Sequence, residues 1–117
     1  MRITFLGTGS AMPTGERFQT GILVQEDGRT LLIDCGAGVL QRLQQSGVGY
    51  ENVSTVLLTH HHLDHVADLL PLMKARWLAG EDHIEIVGPQ GTKALVDDLL
   101  SVYEYMQDKL EVQVREV

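Results

Sequence analysis

The sequence predicts an α/β domain, and three observations carry that expectation. Short apolar, β-branched runs recur along the chain; stretches with helical spacing of apolar residues separate the later runs; and a dense histidine cluster follows directly on one of them. At 117 residues and 44% hydrophobic composition, the chain suffices for one domain, 1–117, with one modest core.

Residues 2 to 6 read as a strand ended by Gly7-Thr8-Gly9-Ser10. The stretch from there to Thr20 carries Gly, Pro and polar residues without periodicity and reads as a long loop, a length that is often functional. Gly21 to Gln25 and Thr30 to Ile33 flank Glu26-Asp27-Gly28-Arg29, where Asp-Gly signals a hairpin between antiparallel strands. Asp34-Cys35-Gly36 ends the second of these. Val39, Leu40 and Leu43 then have helical spacing up to a stop at Gly47.

Ser54 to Thr59 is expected to be a buried strand that delivers the histidines at its C-terminal end, where open α/β sheets place their sites. A helix is expected over Val66 to Leu78, kinked by Pro71, with Leu69, Leu70, Leu72, Met73 and Trp77 on a broad apolar face and Gly80 as its end. His83 to Val87 reads as a strand closed by Gly88-Pro89. Thr92 to Gln107 reads as a helix with Leu95, Leu99, Val102 and Met106 on one stripe, and Leu110 to Val117 alternates as a strand.

A formal charge of -7, with only 9 scattered basic residues, disfavours an extended nucleic-acid surface, because phosphate binding depends on clustered Lys and Arg. Bound divalent cations would reverse the local field where the histidines lie. The single Cys35 leaves no intramolecular disulfide, and Met1 leads into a strand with no apolar secretory region, so a cytoplasmic location is expected. No run approaches the roughly 18 apolar residues of a membrane span.

His60, His61, His62, Asp64 and His65 occupy positions within six consecutive residues. Imidazoles and a carboxylate are the donors zinc prefers, and Mn2+ or Fe2+ can take the same set. A histidine-rich surface turn that binds nothing is the bland alternative, but four such groups would repel one another if protonated and would gain nothing from packing. In the pattern His60-x-His62-x-Asp64-His65, alternate residues point to one side while the adjacent pair Asp64-His65 reaches a neighbouring position. One loop can thus serve two ions, and a pair of ions about 3.5 to 4 Å apart is suited to hydrolytic chemistry. His61 reads as a neighbour of the ligands, and His83 as a surface or half-buried strand residue.

With Phe5 to Thr14, Leu32 to Gly36 and Thr59 to His65 in this order, the chain resembles the metallo-β-lactamase fold superfamily and, within it, the ribonuclease Z-like branch. The resemblance implies half of an αββα sandwich, a mixed sheet with helices on one face. It implies that His60 and His62 hold a first zinc and Asp64 and His65 a second, with Asp64 also a catalytic proton acceptor. Asp34 matches the family's structural aspartate, which orients the metal loop by hydrogen bonding; an Asx turn is the plain alternative. Arg17, in the loop that approaches substrate, is the candidate contact to a substrate phosphate, with a solvated loop arginine as the other reading.

A complete relative supplies from its second half one further histidine for each metal and an aspartate bridging both. After His65 this chain has only His83. The implied activity is metal-dependent hydrolysis of a phosphodiester, in RNA or a smaller nucleotide, by a hydroxide activated between two metals, with this chain supplying half the metal site. A non-catalytic metal-binding or assembly module and a hydrolase of a small non-nucleotide ester are the alternatives. The sheet face left without a second sheet implies either a homodimer or a missing C-terminal half.

Overall fold

The computed structural model describes residues 1–117. Six strands form a single sheet in strictly sequential order: β1 (Arg2–Gly7), β2 (Gly21–Glu26), β3 (Arg29–Ile33), β4 (Thr55–Leu57), β5 (His83–Gly88) and β6 (Glu111–Glu116). The first three are an antiparallel meander. β3 to β6 run parallel, linked by α1 (Val39–Gln45), by the short turn α2 (Leu63–Val66) with α3 (Leu69–Leu78), and by α4 (Thr92–Val102). The predicted class, a mixed sheet with helices, is therefore the class observed.

Between β2 and β3, Asp27 and Gly28 both have positive φ, 51° and 76°. That pair of left-handed residues is what a two-residue hairpin turn matching the strand twist demands, and Asp-Gly supplies it with little strain.

The strand order never reverses, so crossovers of one hand place every connecting helix on the same side. Register confirms two unlike faces. Leu23, Leu32, Val56 and Ile86 lie in one row, all buried, and meet Val39, Leu43, Leu69, Leu72, Met73 and Val96 from the helices in a single core. The opposite face carries Phe5, Ile22, Ile33, Leu57 and Val87 in one row and Ile3, Val24 and Leu31 in another. No helix covers it, and Ile3 and Phe5 are 54% and 62% exposed.

Three elements depart from their expected bounds. β4 stops at Leu57 rather than Thr59, because the Thr59 backbone N–H donates to the Asp34 carboxylate (2.9 Å) and so leaves the ladder. The helix expected from Val66 begins at Leu69, which puts Pro71 in its first turn, where a missing N–H costs no hydrogen bond and no kink is needed. α4 ends at Val102, where Tyr103 turns away and a 3-10 turn (Glu104–Met106) follows. Its buried side is Thr92 and Val96, with Val102 75% exposed, so the expected stripe is rotated.

Both α1 and α4 start at a glycine with no side-chain cap of its own. Distant carboxylates fill the role. Asp68 Oδ2 accepts from the N–H groups of Gly38 (2.9 Å) and Leu40 (3.0 Å), and Glu116 Oε2 accepts from Gly91 (2.8 Å) and Lys93 (3.2 Å).

Arg76 is 2% exposed on α3, and its guanidinium donates to the carbonyls of Tyr50, Glu51 and His83, fastening the segment before β4 to the start of β5. Burial pulls its pKa down, and the charges of Glu81 and Glu51 oppose that shift. Replacing Arg76 by Leu strips three carbonyls of their donor and is expected to cost about 2 kcal/mol. Urea denaturation should show a lower midpoint at an unchanged slope, and an unmoved midpoint would contradict this role for the guanidinium.

Candidate metal centre

β3 and β4 are parallel neighbours, so the residues that follow them emerge side by side at the same edge of the sheet. Asp34 follows β3 and the segment Thr59 to His65 follows β4. Asp34 adopts a left-handed backbone (φ 62°), a conformation Asp tolerates better than most residues, and this turns its buried carboxylate towards β4. Asp34 Oδ1 accepts from the Thr59 N–H (2.9 Å). Oδ2 accepts from the Thr59 hydroxyl (2.7 Å) and from His65 Nδ1 (2.8 Å). Asp34 thus bonds at once to the residue before the histidine cluster and to its last histidine.

These bonds fix the chemistry of two imidazoles. His65 donates from Nδ1, and in the neutral ring this leaves the Nε2 lone pair free. The Thr59 hydroxyl has given its proton to Asp34, so at 2.9 Å from His60 Nδ1 it can only accept, and His60 likewise keeps a free Nε2. The His60 ring lies 4.5 Å from that of His62 and 4.1 Å from that of His65, centroid to centroid. Asp64 Oδ2 is 3.5 Å from His65 Nε2. The four residues singled out as metal ligands therefore gather at one place at the C-terminal edge of the sheet. No three His, Cys, Asp or Glu side chains converge on a single ion position within the chain.

The floor of the site is packed tightly. A Cβ at Gly36 would collide with the Asp64 carbonyl oxygen and with the Gln19 side chain, so the turn after β3, the long loop and the metal loop can meet only at a glycine. Cys35 N donates to the His65 carbonyl (2.7 Å), and the Cys35 carbonyl accepts from Asp68 N (2.9 Å).

The remaining candidates sit apart. Arg17 is exposed and, with Gln19, Ala37 and Gly38 among others, lines a separate depression of about 380 Å³. His83 is exposed at the start of β5. His61 points away from the other three histidines and meets Thr92 at 2.8 Å. A larger depression, about 630 Å³, lies around the β2–β3 hairpin at the opposite end of the sheet from the histidines. Thr59 and Asp68 carry roles that no sequence motif assigns to them. Thr59 stands directly before His60, but its two-way bonding follows only from the pairing of β3 with β4.

The single-faced mixed sheet, with an aspartate after β3 orienting a histidine-rich loop after β4, is the arrangement of the metallo-β-lactamase fold in its ribonuclease Z-like form. The family model for anti-Pycsar protein Apyc1 matches residues 1–111, and the chain belongs to that family. It is similar to ribonuclease Z of Methanopyrus kandleri, 43% identical over 114 residues, and to that of Mycolicibacterium gilvum, 40% identical over 109 residues. These alignments take in 92% and 90% of this chain but 41% and 38% of the relatives, so the chain spans about two fifths of the length of the curated relatives it matches. Among solved structures, the short form of human tRNase Z superposes with a TM-score of 0.85 at 29% identity, over 97% of this chain and 43% of that one.

Two outcomes are expected. Asp34→Ala removes the acceptor of three hydrogen bonds and places alanine in a left-handed conformation, at a cost on the order of 3 kcal/mol by chemical denaturation; a cost below about 1 kcal/mol would speak against the carboxylate as an organising group. Burial, reinforced by the charges of Asp68 and then Asp34, raises the Cys35 thiol well above its ordinary range. Native protein should resist iodoacetamide at pH 8 and react once unfolded. Because the unfolded thiol loses its proton first, this group's contribution to stability is complete below the unfolded thiol's range and declines as pH rises above about 8.5.

Proposed function

We propose that this chain supplies half of the metal centre of a hydrolase acting on phosphodiesters, in RNA or in a smaller nucleotide. The observation that supports it most is the free Nε2 of His60 and of His65, each imposed by a hydrogen bond at the other ring nitrogen, beside the Asp64 carboxylate. Two acceptor atoms facing each other at 3.5 Å, His65 Nε2 and Asp64 Oδ2, repel unless a proton or a cation lies between them. The donor set fits zinc, with Mn2+ or Fe2+ as further candidates. His60 and His62 would hold one ion and Asp64 and His65 a second.

Divalent ions bound there supply Lewis acidity and lower the pKa of water. Asp64 would take up a proton from the attacking water. Asp34 holds His65, and through Thr59 also His60, in the tautomer that keeps Nε2 available. Arg17, two residues before the Gln19 that packs against Gly36, would be the contact to a phosphate that extends beyond the histidines.

A second reading, that of a non-catalytic metal-binding or assembly module, draws on the absence of any three converging donors and on the two-fifths coverage of the relatives. Further donors would come from outside this chain, either from the additional length the relatives have or from a second copy packed on the open sheet face. Sedimentation separates these, since a monomer at high concentration excludes the homodimer.

The experiment is metal analysis of the purified chain together with hydrolysis of bis(p-nitrophenyl) phosphate and of p-nitrophenyl acetate. Bound zinc, with phosphodiester turnover lost in His62→Ala and affinity reduced at least about tenfold, is expected for the hydrolase. Metal without turnover favours the module, turnover of the acetate alone favours a small-ester hydrolase, and neither metal nor turnover overturns all three.

A further inference from the structure

We infer that His61, which lies between two proposed ligands without being one, is the positioning residue of the metal loop, and that its hydrogen bond to Thr92 sets the direction in which His60 and His62 face. The inference rests on the metal-centre reading above for its consequence, but not for its geometry.

His61 Nε2 lies 2.8 Å from Thr92 Oγ1, and Thr92 Oγ1 donates to the Pro89 carbonyl at 2.7 Å. The hydroxyl has one proton. Given to the carbonyl, as the 2.7 Å contact describes, it leaves the hydroxyl accepting from His61, which in the neutral ring is the Nε2–H tautomer. Thr92 is fully buried, so no water competes for the His61 contact. Its position is itself fixed: it is the first residue of α4, and the start of that helix is capped from β6 by Glu116.

In an extended loop, consecutive side chains point to opposite sides. His61 anchored towards α4 thus turns His60 and His62 the other way, towards His65 and the Asp34 edge, where their rings are observed. The loop is held from both flanks, by Asp34 through Thr59 and His65 and by Thr92 through His61. Thr92 touches none of the proposed ligands, so any effect of its hydroxyl on metal binding must pass through His61.

The test compares wild type, Thr92→Val and Thr92→Ser by two measurements. Imidazole 15N–1H correlation spectra of the metal-free protein read the tautomers of His60, His61 and His62. Titration with Co2+ reads affinity and the visible absorption of the bound ion. Wild type should show His61 as Nε2–H and His60 as Nδ1–H. Thr92→Val, which keeps the shape and loses the hydroxyl, should give a mixture of tautomers at His61 while His60 stays Nδ1–H, bind Co2+ about tenfold more weakly and shift its absorption; Thr92→Ser should restore the His61 tautomer and bring the affinity to within about twofold.

Wild-type tautomers in Thr92→Val would overturn the inference, as would a Thr92→Ser variant no better than Thr92→Val in a chain of unchanged urea midpoint. Wild type that binds no Co2+ would overturn the metal-centre reading instead. The tautomer spectra would then still decide whether Thr92 sets the loop.

Discussion

The Asp34 carboxylate is the constraint on which the functional edge of this chain depends. Its three accepted hydrogen bonds join the end of β3, the end of β4 and the turn α2 at one point. That point also decides where β4 stops, because the Thr59 N–H that would extend the ladder is diverted to the carboxylate. A buried carboxylate is costly unless its oxygens are satisfied, and here both are, so the structure has little freedom to rearrange around it. The histidine loop inherits this rigidity. Two of its imidazoles owe their tautomers to Asp34, directly in His65 and through the Thr59 hydroxyl in His60.

The sheet imposes a second constraint of a different kind. A strand order that advances in one direction puts all helices on one face and leaves the other apolar. The covered face holds the core, and the open face retains eight apolar side chains, two of them largely exposed. Patches of this sort are uncommon on stable monomers. The chain spans about two fifths of the length of its curated relatives.

Elements with strong local signals are legible in the amino-acid sequence. The Asp27-Gly28 hairpin, the strand Arg2–Gly7 and the alternation of β6 follow from turn chemistry and side-chain periodicity, which act over a few residues. Departures occur where a distant group intervenes. Pro71 reads as a kink only if the helix begins at Val66; with the start at Leu69 it is an ordinary first-turn proline. The rotated stripe of α4 reflects the demand of His61 and Pro89 on Thr92, a polar residue that periodicity would leave on the surface. Asp68 and Glu116, as caps for helices that begin at glycines 30 and 25 residues away, lie beyond any local pattern.

Fold class, the order of elements and the clustering of candidate imidazole and carboxylate donors follow from the sequence alone, because these depend on periodicity, on turn residues and on residue type. How those donors are presented was decided in three dimensions. The parallel pairing of β3 with β4 puts Asp34 beside Thr59, and the start of α4 falls within reach of His61. A histidine's tautomer is set by whatever its other ring nitrogen touches. Those partners lie 31 residues away along the chain for His61 and His65, while that of His60 is the adjacent Thr59, whose own hydroxyl is committed to Asp34, 25 residues before it.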